Sequence, residues 1–508
     1  MNTIRPSKNE FLDFIRTGTV LPVYTEIDAP GLTPLMALET LRVDHYPVLL
    51  ESAKVNEKIG RYSFVTADPY LIFKSDGDVV DLNLPAIPAG KYGKRATIKR
   101  KPLVKLRELL SNYRTGRVEG LPPFLGGAVG FFSYDFVHQF VKLPRTTIID
   151  LKIPESYFIF VDMVVAFDHI LKKVWVIVNP GAREQELGFR RPDPDQWARY
   201  YDEAVNKLMA HTEKLATDHV KSNLPVSGKD AHQRINLVPN FTQTEFKSMV
   251  WKCKEYIAAG DIKQANLSLR FSTAIGNQDP FRLYELLRKV TPSPFAAYLD
   301  FGDLQIVSSS PERLIRLCDR VADTRPITSM RRRENNSEET MAFSAELLTD
   351  DKKRMEHIML FDLERNDLGK VCDYGSVAVD EMMVVETYSH VIHIASNIRG
   401  ILAQNKDCFD LIRVMFPGGT ITGVPKMRCM EIIDELEPTA RGPFTGSIGY
   451  ISNSGDMDFN IIISTFVIKD RKAHFQVGAG IVSDSYPERE YVETLQKAEA
   501  LQKVFALL

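Results

Sequence analysis

Hydrophobic and polar positions along the chain follow two different periods. Short β-rich runs, in which apolar residues alternate with polar ones or follow each other directly, include YPVLLES, SYFIFVDMVVAFDH, QANLSLRFSTAI, LQIVSSSPERLIRL and FNIIISTFVIKD. Helical spacing appears after Thr242, which forms a capping box with Glu245, and in residues 343–366, 408–415 and 425–436. Short turns such as SNSGD and KDRK favour antiparallel pairing. The pattern predicts an α+β protein with antiparallel sheets and helices outside them.

One segment breaks this alternation. Residues 216–240, ATDHVKSNLPVSGKDAHQRINLVPN, are polar and lack either period, which predicts a linker or exposed loop. The boundary divides the protein into an N-terminal region, 1–225, and a second region, 240–508.

The last predicted helix begins with an unusual group of acidic residues. In VGAGIVSDSYPEREYVETLQKAEALQKVF, Ser485 and Glu488 stand at capping-box spacing, and Glu490, Glu493 and Lys497 share one face. A solvated helix face near the favourable helix dipole explains this pattern. A cation site that holds an anionic substrate explains it as well, and from these residues alone the solvated face is favoured.

Other segments carry side chains suited to chemistry. Glu356, in KKRMEHIMLFDLERNDLG, could contribute to a Mg²⁺ site, although pairing with Lys352 or Lys353 on an exposed helix face is the favoured explanation. His390 and His393 are three residues apart in a predicted strand, so at most one faces a site. The turn FPGGTITGVPK precedes a helix whose amide end could hold an anion, but it lacks Walker A spacing.

Composition excludes several classes of function. The 508-residue protein has a net charge of −2, so there is no bulk electrostatic case for nucleic acid or an anionic membrane. Its five cysteines stand alone, which fits a reducing compartment. The first residues lack an apolar signal region, and no run of 18 apolar residues occurs. We therefore expect a soluble, cytoplasmic protein.

Many ordered motifs together resemble the chorismate-binding enzymes, of the type represented by component I of anthranilate synthase and of aminodeoxychorismate synthase. These motifs are LLESAKVNEKIGRYSFVTADP, GDIKQANLSLRF, TRPI, EHIMLFDLERNDLGKV, SHVIHIASNIRG, FPGGTITGVPK, GSIGYISNSGDMDFN and GAGIVSDSYPEREYVETLQKA. The resemblance implies two packed antiparallel sheets, a regulatory-type N-terminal region interlaced with the core, and a catalytic region at 240–508. It also implies Mg²⁺-dependent amination of chorismate or a close analogue, followed by pyruvate elimination to anthranilate.

The resemblance also implies roles for individual residues. Glu356 and Glu493 match the family's metal-ligating glutamates, and His393, Glu490 and Lys497 match residues beside the reacting ring and the metal. With these assignments, the cation site becomes the preferred interpretation of the acidic helix. The predicted substrate-binding positions are Ser329, Met330, Thr420, Phe444, Ser464, Gly478, Ala479 and Gly480.

Several substrate positions depart from the family pattern. RPIAGT or RPIKGT reads RPITSM here, so Thr328, Ser329 and Met330 replace the usual residues. Phe444 stands where a tyrosine is expected, and Ser464 stands where an arginine would hold a carboxylate. Three alternatives follow: a substrate without that carboxylate, compensation by another basic residue such as Arg331, or a non-catalytic binding or regulatory paralogue. An aminodeoxychorismate or aminodeoxyisochorismate synthase-type reaction is a further alternative, although Thr328 replaces the lysine of the aminodeoxychorismate mechanism.

The resemblance extends to regulation and to partners. Ser52 in LLES, with Pro294, Phe295 and Ala296 in TPSPFA, matches the tryptophan effector site, but Phe295 and Ala296 replace tyrosine and methionine. Reduced packing around an indole puts tryptophan inhibition in doubt, and Ser52 could equally be only the end of a strand. No cysteine lies in a glutaminase setting, so a separate glutaminase subunit or free ammonia is expected to supply nitrogen.

Overall fold

The computed structural model describes residues 3–85, 93–184, 193–218, 237–332, 349, 351–387 and 391–508. The side chains at 218, 329–332, 351–353, 387 and 391 lie outside this description. His390 also falls outside the described residues, as does the beginning of the helix predicted at 343–366.

The helices agree with the predicted periodicity in the second half of the protein, where 408–415 and 425–436 were expected. A 3₁₀ helix spans Tyr134–Gln139. The α-helices of the described residues are α1 (Lys8–Arg16), α2 (Pro34–Leu41), α3 (Pro102–Asn112), α4 (Pro194–Asp218), α5 (Gln243–Ala258), α6 (Pro280–Val290), α7 (Asp351–Gly369), α8 (Cys408–Met415), α9 (Lys426–Leu436) and α10 (Pro487–Ala506).

Two large antiparallel sheets confirm the predicted α+β class. The strands, in sequence order, are β1 (Val23–Glu26), β2 (Val48–Glu51), β3 (Tyr62–Thr66), β4 (Leu71–Asp76), β5 (Val79–Leu84), β6 (Lys94–Lys99), β7 (Gly127–Phe132), β8 (Ser156–Val161), β9 (Met163–Asp168), β10 (Lys173–Val178), β11 (Val238–Pro239), β12 (Gln264–Ala274), β13 (Phe295–Asp300), β14 (Leu304–Ser310), β15 (Arg313–Cys318), β16 (Val321–Arg325), β17 (Ile327–Arg332), β18 (Ala378–Thr387), β19 (Val391–Ile401), β20 (Gly423–Val424), β21 (Ser447–Ser452), β22 (Met457–Asn460), β23 (Thr465–Lys469) and β24 (Lys472–Ile481).

Each sheet combines strands from both halves of the protein. The first sheet has the order β1-β10-β9-β3-β2-β13-β14-β23-β24-β12-β11, with β20 also pairing with β12. The second has the order β17-β19-β16-β15-β22-β21-β7-β8-β4-β5-β6, with β18 also pairing with β19. Buried aliphatic and aromatic side chains, including Phe132, Phe158 and Phe459, form a continuous core between these elements. The N-terminal half therefore contributes to the same core as the second half.

The segment LQIVSSSPERLIRL divides into two strands that belong to different sheets. β14 ends at Ser310 in the first sheet, and β15 begins at Arg313 in the second. The polar run SSSPER, which contains Pro311, lies between the two apolar parts of this segment, but the residue pattern does not show that these parts join different sheets. The crossover places Glu312, which is buried, at the boundary between the sheets.

One predicted helix cap is present and another is absent. Thr242 and Glu245 form the reciprocal capping box at the start of α5. The box predicted for Ser485 and Glu488 is wrong, because α10 begins at Pro487 with Tyr486 as its N-cap. The Ser485 hydroxyl instead accepts a hydrogen bond from Val482 N at 3.1 Å, which tightens the turn before the helix.

Within the ranges described above, no helix is long and apolar enough to cross a membrane. The segment at 216–240 keeps the last turn of α4 at its start and contributes β11, which pairs with β12, near its end.

Candidate active site

The floor of the candidate site is the ladder between β12 and β24. Ser268 is opposite Gly478, and Asn266 is opposite Gly480, in an antiparallel register. A Cβ atom added to Gly478 would lie 2.4 Å from Asn266 Oδ1, and one added to Gly480 would lie 2.7 Å from Gln264 Nε2. Both glycines are therefore needed because polar side chains of the neighbouring strand occupy the space that a side chain would fill.

Gln264 connects this floor to the predicted metal ligand Glu356. Its amide Nε2 donates a 2.9 Å hydrogen bond to Glu356 Oε1. Because the carboxylate requires a donor, the amide nitrogen faces Glu356 and the amide oxygen faces the other way. That oxygen and Asn266 Oδ1 are both buried and have no hydrogen-bond partner among the described residues. Two acceptors are thus left unsatisfied at the floor of the site.

The acidic face of α10 lies beside the same glycine strand. Lys497 Nζ is 2.8 Å from Glu493 Oε1 and donates to the carbonyl oxygen of Gly478 at 3.1 Å. Glu490 is half-buried in the first turn, whereas Glu488 is exposed and pairs with Lys247 at 3.4 Å. The side chain of Glu493 is 55% exposed, so it can accept an additional ligand. Glu493 and Glu488 therefore differ in their partners, because Glu493 pairs with Lys497 beside the glycine strand and Glu488 pairs with Lys247.

His393 is contributed by the second sheet, through β19. Its side chain is buried, and desolvation, with smaller contributions from Lys54 and Lys497, lowers its pKa to about 4. The imidazole is therefore neutral at neutral pH and can accept a proton. Position 330 on β17 is opposite His393 in the ladder, which agrees with the predicted neighbourhood of the substrate residues.

A buried carboxyl group, Glu312, faces the predicted substrate residue Thr420. Thr420 Oγ1 donates to Glu312 Oε1 at 2.9 Å, and Ile327 N donates to the same oxygen at 3.3 Å. Burial first, and repulsion from Glu364 second, raise the pKa of the Glu312 carboxyl. This group therefore holds a proton at a pH where an exposed glutamate would have lost it.

The positions that depart from the family pattern do not share one common environment. Thr328 Oγ1 is hydrogen-bonded to Nδ1 of the buried His357, whose Nε2 lies 2.6 Å from Ser396 Oγ. Phe444 is buried, and Ser464 adopts a φ of 52° with its carbonyl oxygen accepting from Ser309 N at 3.1 Å. The side chains of Ser329 and Met330 lie outside the described residues, although both positions belong to β17.

Ala479 differs from its glycine neighbours. Its side chain is fully buried and belongs to the hydrophobic core, on the opposite face of β24 from Gly478 and Gly480. Any contact between Ala479 and a substrate would therefore be made by its backbone, and its role stays a prediction.

The four predicted effector residues line one cavity of about 680 Å³. Ser52 Oγ donates to Tyr62 O at 2.8 Å and lies 3.3 Å from Pro294 O, so its hydroxyl is already used within the protein. Phe295 and Ala296 begin β13, which pairs with β2 beside Ser52. The tryptophan site stays a prediction, and its polar contacts would need to come from other lining residues.

Three residues of this site were not identified from the sequence: Gln264, Asn266 and Glu312. Gln264 and Asn266 belong to the polar positions of the alternating strand QANLSLRF, and a polar face on a buried strand is the signal that could have shown them. Glu312 follows the polar run SSSP within an apolar stretch. Full burial of a glutamate could not be read from that pattern.

Comparison with known proteins shows the family of this chain. The family described as "chorismate binding enzyme" matches residues 67–503. The chain belongs to this family. Anthranilate synthase component 1 of Acetivibrio thermocellus is 37% identical over 98% of both proteins. Aminodeoxychorismate synthase component 1 of Bacillus subtilis (strain 168) is 39% identical over 91% of this protein and 92% of the relative.

A solved structure supports the same conclusion. Anthranilate synthase component I from Streptococcus pneumoniae TIGR4 has a TM-score of 0.73 and 30% identity, and the alignment covers 88% of this protein and 93% of that one. The protein is thus an anthranilate synthase component I-like, chorismate-binding enzyme, and family members act on chorismate.

The donor set of this chorismate-binding enzyme is suited to magnesium. Among the described residues, no group of three or more acidic, histidine or cysteine side chains could hold a metal ion by itself. Oε1 of Glu356, on α7, would lie 3.8 Å from a Cβ atom added to Gly480. Glu493, on α10, pairs with Lys497, and Lys497 in turn donates to the carbonyl oxygen of Gly478. Mg²⁺ uses one or two carboxylates and keeps several waters, so this sparse donor set fits it.

Proposed function

We propose that this enzyme aminates the ring of chorismate with ammonia and then eliminates pyruvate to form anthranilate, with Mg²⁺ as cofactor. The observation that carries the proposal is the pair of amide oxygens of Gln264 and Asn266 beside Gly478 and Gly480, for which the described part of the chain provides no hydrogen-bond donor. An oxygen that only accepts hydrogen bonds favours a ligand with N–H donors. Leaving both unsatisfied costs about 1–3 kcal/mol each, which ammonia would recover on binding.

The amination step uses the buried carboxyl group of Glu312 as its acid. The ammonia nitrogen forms the new C–N bond with its lone pair while the ring C–O bond breaks. Glu312 donates its proton to the departing hydroxyl, which leaves as water, and the excess proton of the new ammonium group passes to solvent. Its burial and its raised pKa support Glu312 in this role, because the proton is retained until the transition state draws on it.

The elimination step requires a base. Neutral His393 takes the ring proton, and the electrons of that C–H bond complete the aromatic ring. The bond between the ring and the enolpyruvyl oxygen breaks at the same time to release enolpyruvate, which becomes pyruvate on protonation. Because burial lowers its pKa, the imidazole of His393 is unprotonated before the step, but it is a weaker base than an exposed histidine. The formation of the aromatic ring therefore supplies the driving force for proton removal.

Glu356 and Glu493 would hold Mg²⁺, which would bind the ring carboxylate and act as a Lewis acid when present. Gln264 orients Glu356 through its 2.9 Å hydrogen bond, and Lys497 orients Glu493 through their 2.8 Å ion pair. These two contacts arrange the carboxylates before a cation arrives.

A reaction of the aminodeoxychorismate type is the second candidate, favoured by the 39% identity with the Bacillus subtilis relative. It would end after amination and release no pyruvate. Thr328 opposes this candidate, because it replaces the lysine expected there and its hydroxyl is already bound to His357.

The nitrogen source is proposed to be a separate glutaminase subunit or free ammonia. Burial raises the pKa of four of the five cysteine thiols, which excludes them as thiolate nucleophiles. The fifth cysteine, Cys318, is partly exposed, and its Sγ lies 3.2 Å from Arg117 Nη2. Among the described residues, no histidine contacts Cys318 to act as its base.

The test combines two products in one assay. Purified protein is incubated with chorismate, Mg²⁺ and ammonium while anthranilate fluorescence and pyruvate are followed. We expect equal amounts of both, strong loss of turnover for Glu493→Gln, and little change for the exposed Glu488→Gln control. An aminated product without pyruvate would support the second candidate.

Inactivity in this assay would point to the non-catalytic alternative. The triple substitution Ser464→Arg, Ser329→Gly and Met330→Thr restores the family residues at the departing positions. If it also produces neither product, the proposed function is wrong for chorismate.

A further inference from the structure

A second buried carboxyl group, Glu364 on α7, lies close to the proposed acid Glu312. Both side chains are only 4% exposed. A Cβ atom added to Gly419 would lie 3.8 Å from Glu364 Cγ, and the next residue, Thr420, donates to Glu312 at 2.9 Å. The turn at 418–420 therefore contacts Glu364 on one side and Glu312 on the other.

A threonine makes a second connection between the two carboxyl groups. Thr324 Oγ1 lies 2.7 Å from Glu364 Oε2 and 2.8 Å from the carbonyl oxygen of Leu314, two residues after Glu312. Thr324 itself is fully buried on β16. Glu364 is thus attached to the strand that follows Glu312 as well as to the turn that contacts it.

The nearby cation is already paired with another acid. Lys426 Nζ lies 3.1 Å from Asp367 Oδ2 and 3.1 Å from Met415 O. Among the described residues, no arginine or lysine forms an ion pair with Glu312 or Glu364. The charged groups that face this pair are therefore Lys426 and Asp367, which largely compensate each other.

We propose that Glu364 is a positioning residue that keeps the proton on Glu312 until the ring hydroxyl leaves. Two buried carboxyl groups without a cation between them cannot both ionise cheaply, because like charges repel strongly in a region of low dielectric. At neutral pH the pair retains at least one proton. The ionised form of Glu364 is favoured by the Thr324 hydroxyl and by the charge of Lys426, whereas that of Glu312 is favoured by the uncharged donors Thr420 and Ile327 alone. The proton consequently resides on Glu312, beside Thr420.

The electrostatic surroundings agree with this geometry. Burial raises the pKa of Glu364, while the Thr324 hydrogen bond and Lys426 partly offset that effect. The pKa of Glu312 is raised by burial and then by Glu364, with a smaller opposing effect from Thr420. Each direction follows from contacts described above.

The decisive variant is Glu364→Gln, which removes the charge and keeps the size of the side chain. The role of Glu312 as acid rests on the proposed function, so the first readout does not use turnover. Infrared pH titration of the unliganded protein follows the band of protonated carboxyl groups, and Glu312→Gln identifies which band belongs to Glu312. We expect its titration midpoint to fall by roughly one pH unit or more in Glu364→Gln.

The second readout is the pH profile of kcat at saturating ammonia. Its alkaline limb should move to lower pH by a similar amount in Glu364→Gln, because Glu312 then loses its proton earlier. A purely structural role would lower kcat at every pH without moving the limb. Glu155→Gln is the matched control, since Glu155 is also a buried glutamate but lies just before β8 and pairs with Arg145.

Thr324→Val serves as a second variant if Glu364→Gln does not fold. Without the threonine hydroxyl, Glu364 ionises less readily and repels Glu312 less, so the Glu312 midpoint should move in the same direction by a smaller amount. Unchanged infrared midpoints in these variants would overturn the proposal. Absence of turnover with chorismate, combined with a shifted infrared midpoint, would instead contradict only the proposed function.

Discussion

The buried ion pair between Arg441 and Glu437 provides a quantitative test of how the site floor is held. Arg441 donates to Glu437 at 2.7 and 2.9 Å, and also to Asn266 O at 2.6 Å and Ile421 O at 3.0 Å. Its guanidinium therefore joins the end of α9 to the strand that carries Asn266 and to the turn after Thr420. Both charged side chains are at most 2% exposed.

Arg441→Met should destabilise the protein by about 3–5 kcal/mol, because it leaves the buried charge of Glu437 without its partner. Ser268 N and Oγ still donate to Glu437 at 2.9 and 2.8 Å. Because these donors remain, we expect a loss of unfolding free energy near the lower end of that range. Combining Arg441→Met with Glu437→Gln removes that unpaired charge. The double variant should therefore lose less than the sum of the single losses, by about 0.5–3 kcal/mol.

Equilibrium urea unfolding, followed by tryptophan fluorescence, measures all four corners of this double-mutant cycle. Arg428→Met is the control, because Arg428 forms exposed ion pairs with Asp261 and Glu431, whose side chains are 38% and 36% exposed. That control should lose at most about 1 kcal/mol. An Arg441→Met cost equal to the control, or fully additive single losses, would refute the reasoning.

Three further predictions concern the site itself. Gly478→Ala should raise the KM for ammonia, because its Cβ would meet Asn266 Oδ1 at 2.4 Å, whereas Gly369→Ala, with open space around it, should behave as wild type in the same kinetic assay. The unfolded protein protonates His393 near pH 6.5 and the folded protein near 4, so the neutral imidazole contributes stability above pH 6.5 that is lost as the pH falls toward 4. Urea unfolding across this range should show a loss of up to roughly 3 kcal/mol that His393→Asn lacks; equal pH slopes for both proteins would contradict the assignment. Ser464→Arg should lower the KM for chorismate by about 10-fold or more through a charge-assisted hydrogen bond, and an unchanged KM would mean that this position does not face the substrate.

The metal and proton-transfer candidates show how far sequence reasoning extends. Glu356, His393 and Glu493 were predicted through motifs whose order along the sequence resembles the family, and their roles stay predictions. The structure places Glu356 beside Gly480, His393 opposite position 330 and Glu493 beside Lys497. Residue type and spacing could suggest these side chains because regular helices and strands contribute them. Glu488 and Glu493 are both exposed, and they differ in their partners, Lys247 and Lys497.

The caps and crossovers were harder to predict. The Ser485 cap was wrong because the same hydroxyl can satisfy either a helix end or the preceding turn, and here it accepts from Val482 N in the turn. The division of LQIVSSSPERLIRL between two sheets was not apparent because both strands are apolar. A one-dimensional pattern contains no information about which partner a strand will find.

The sequence by itself determined the α+β class, the antiparallel pairing and the family, and it predicted which residues would bind a cation. These follow from local periodicity, turn chemistry and ordered motifs, all of which act over short distances in the sequence. Only the tertiary structure decided that Gln264 and Asn266 leave acceptors unsatisfied at the floor, and that Glu312 and Glu364 are buried near each other. Hydrogen-bond satisfaction and proton affinity depend on neighbours that are distant in sequence, and burial is what gives those neighbours their energetic weight.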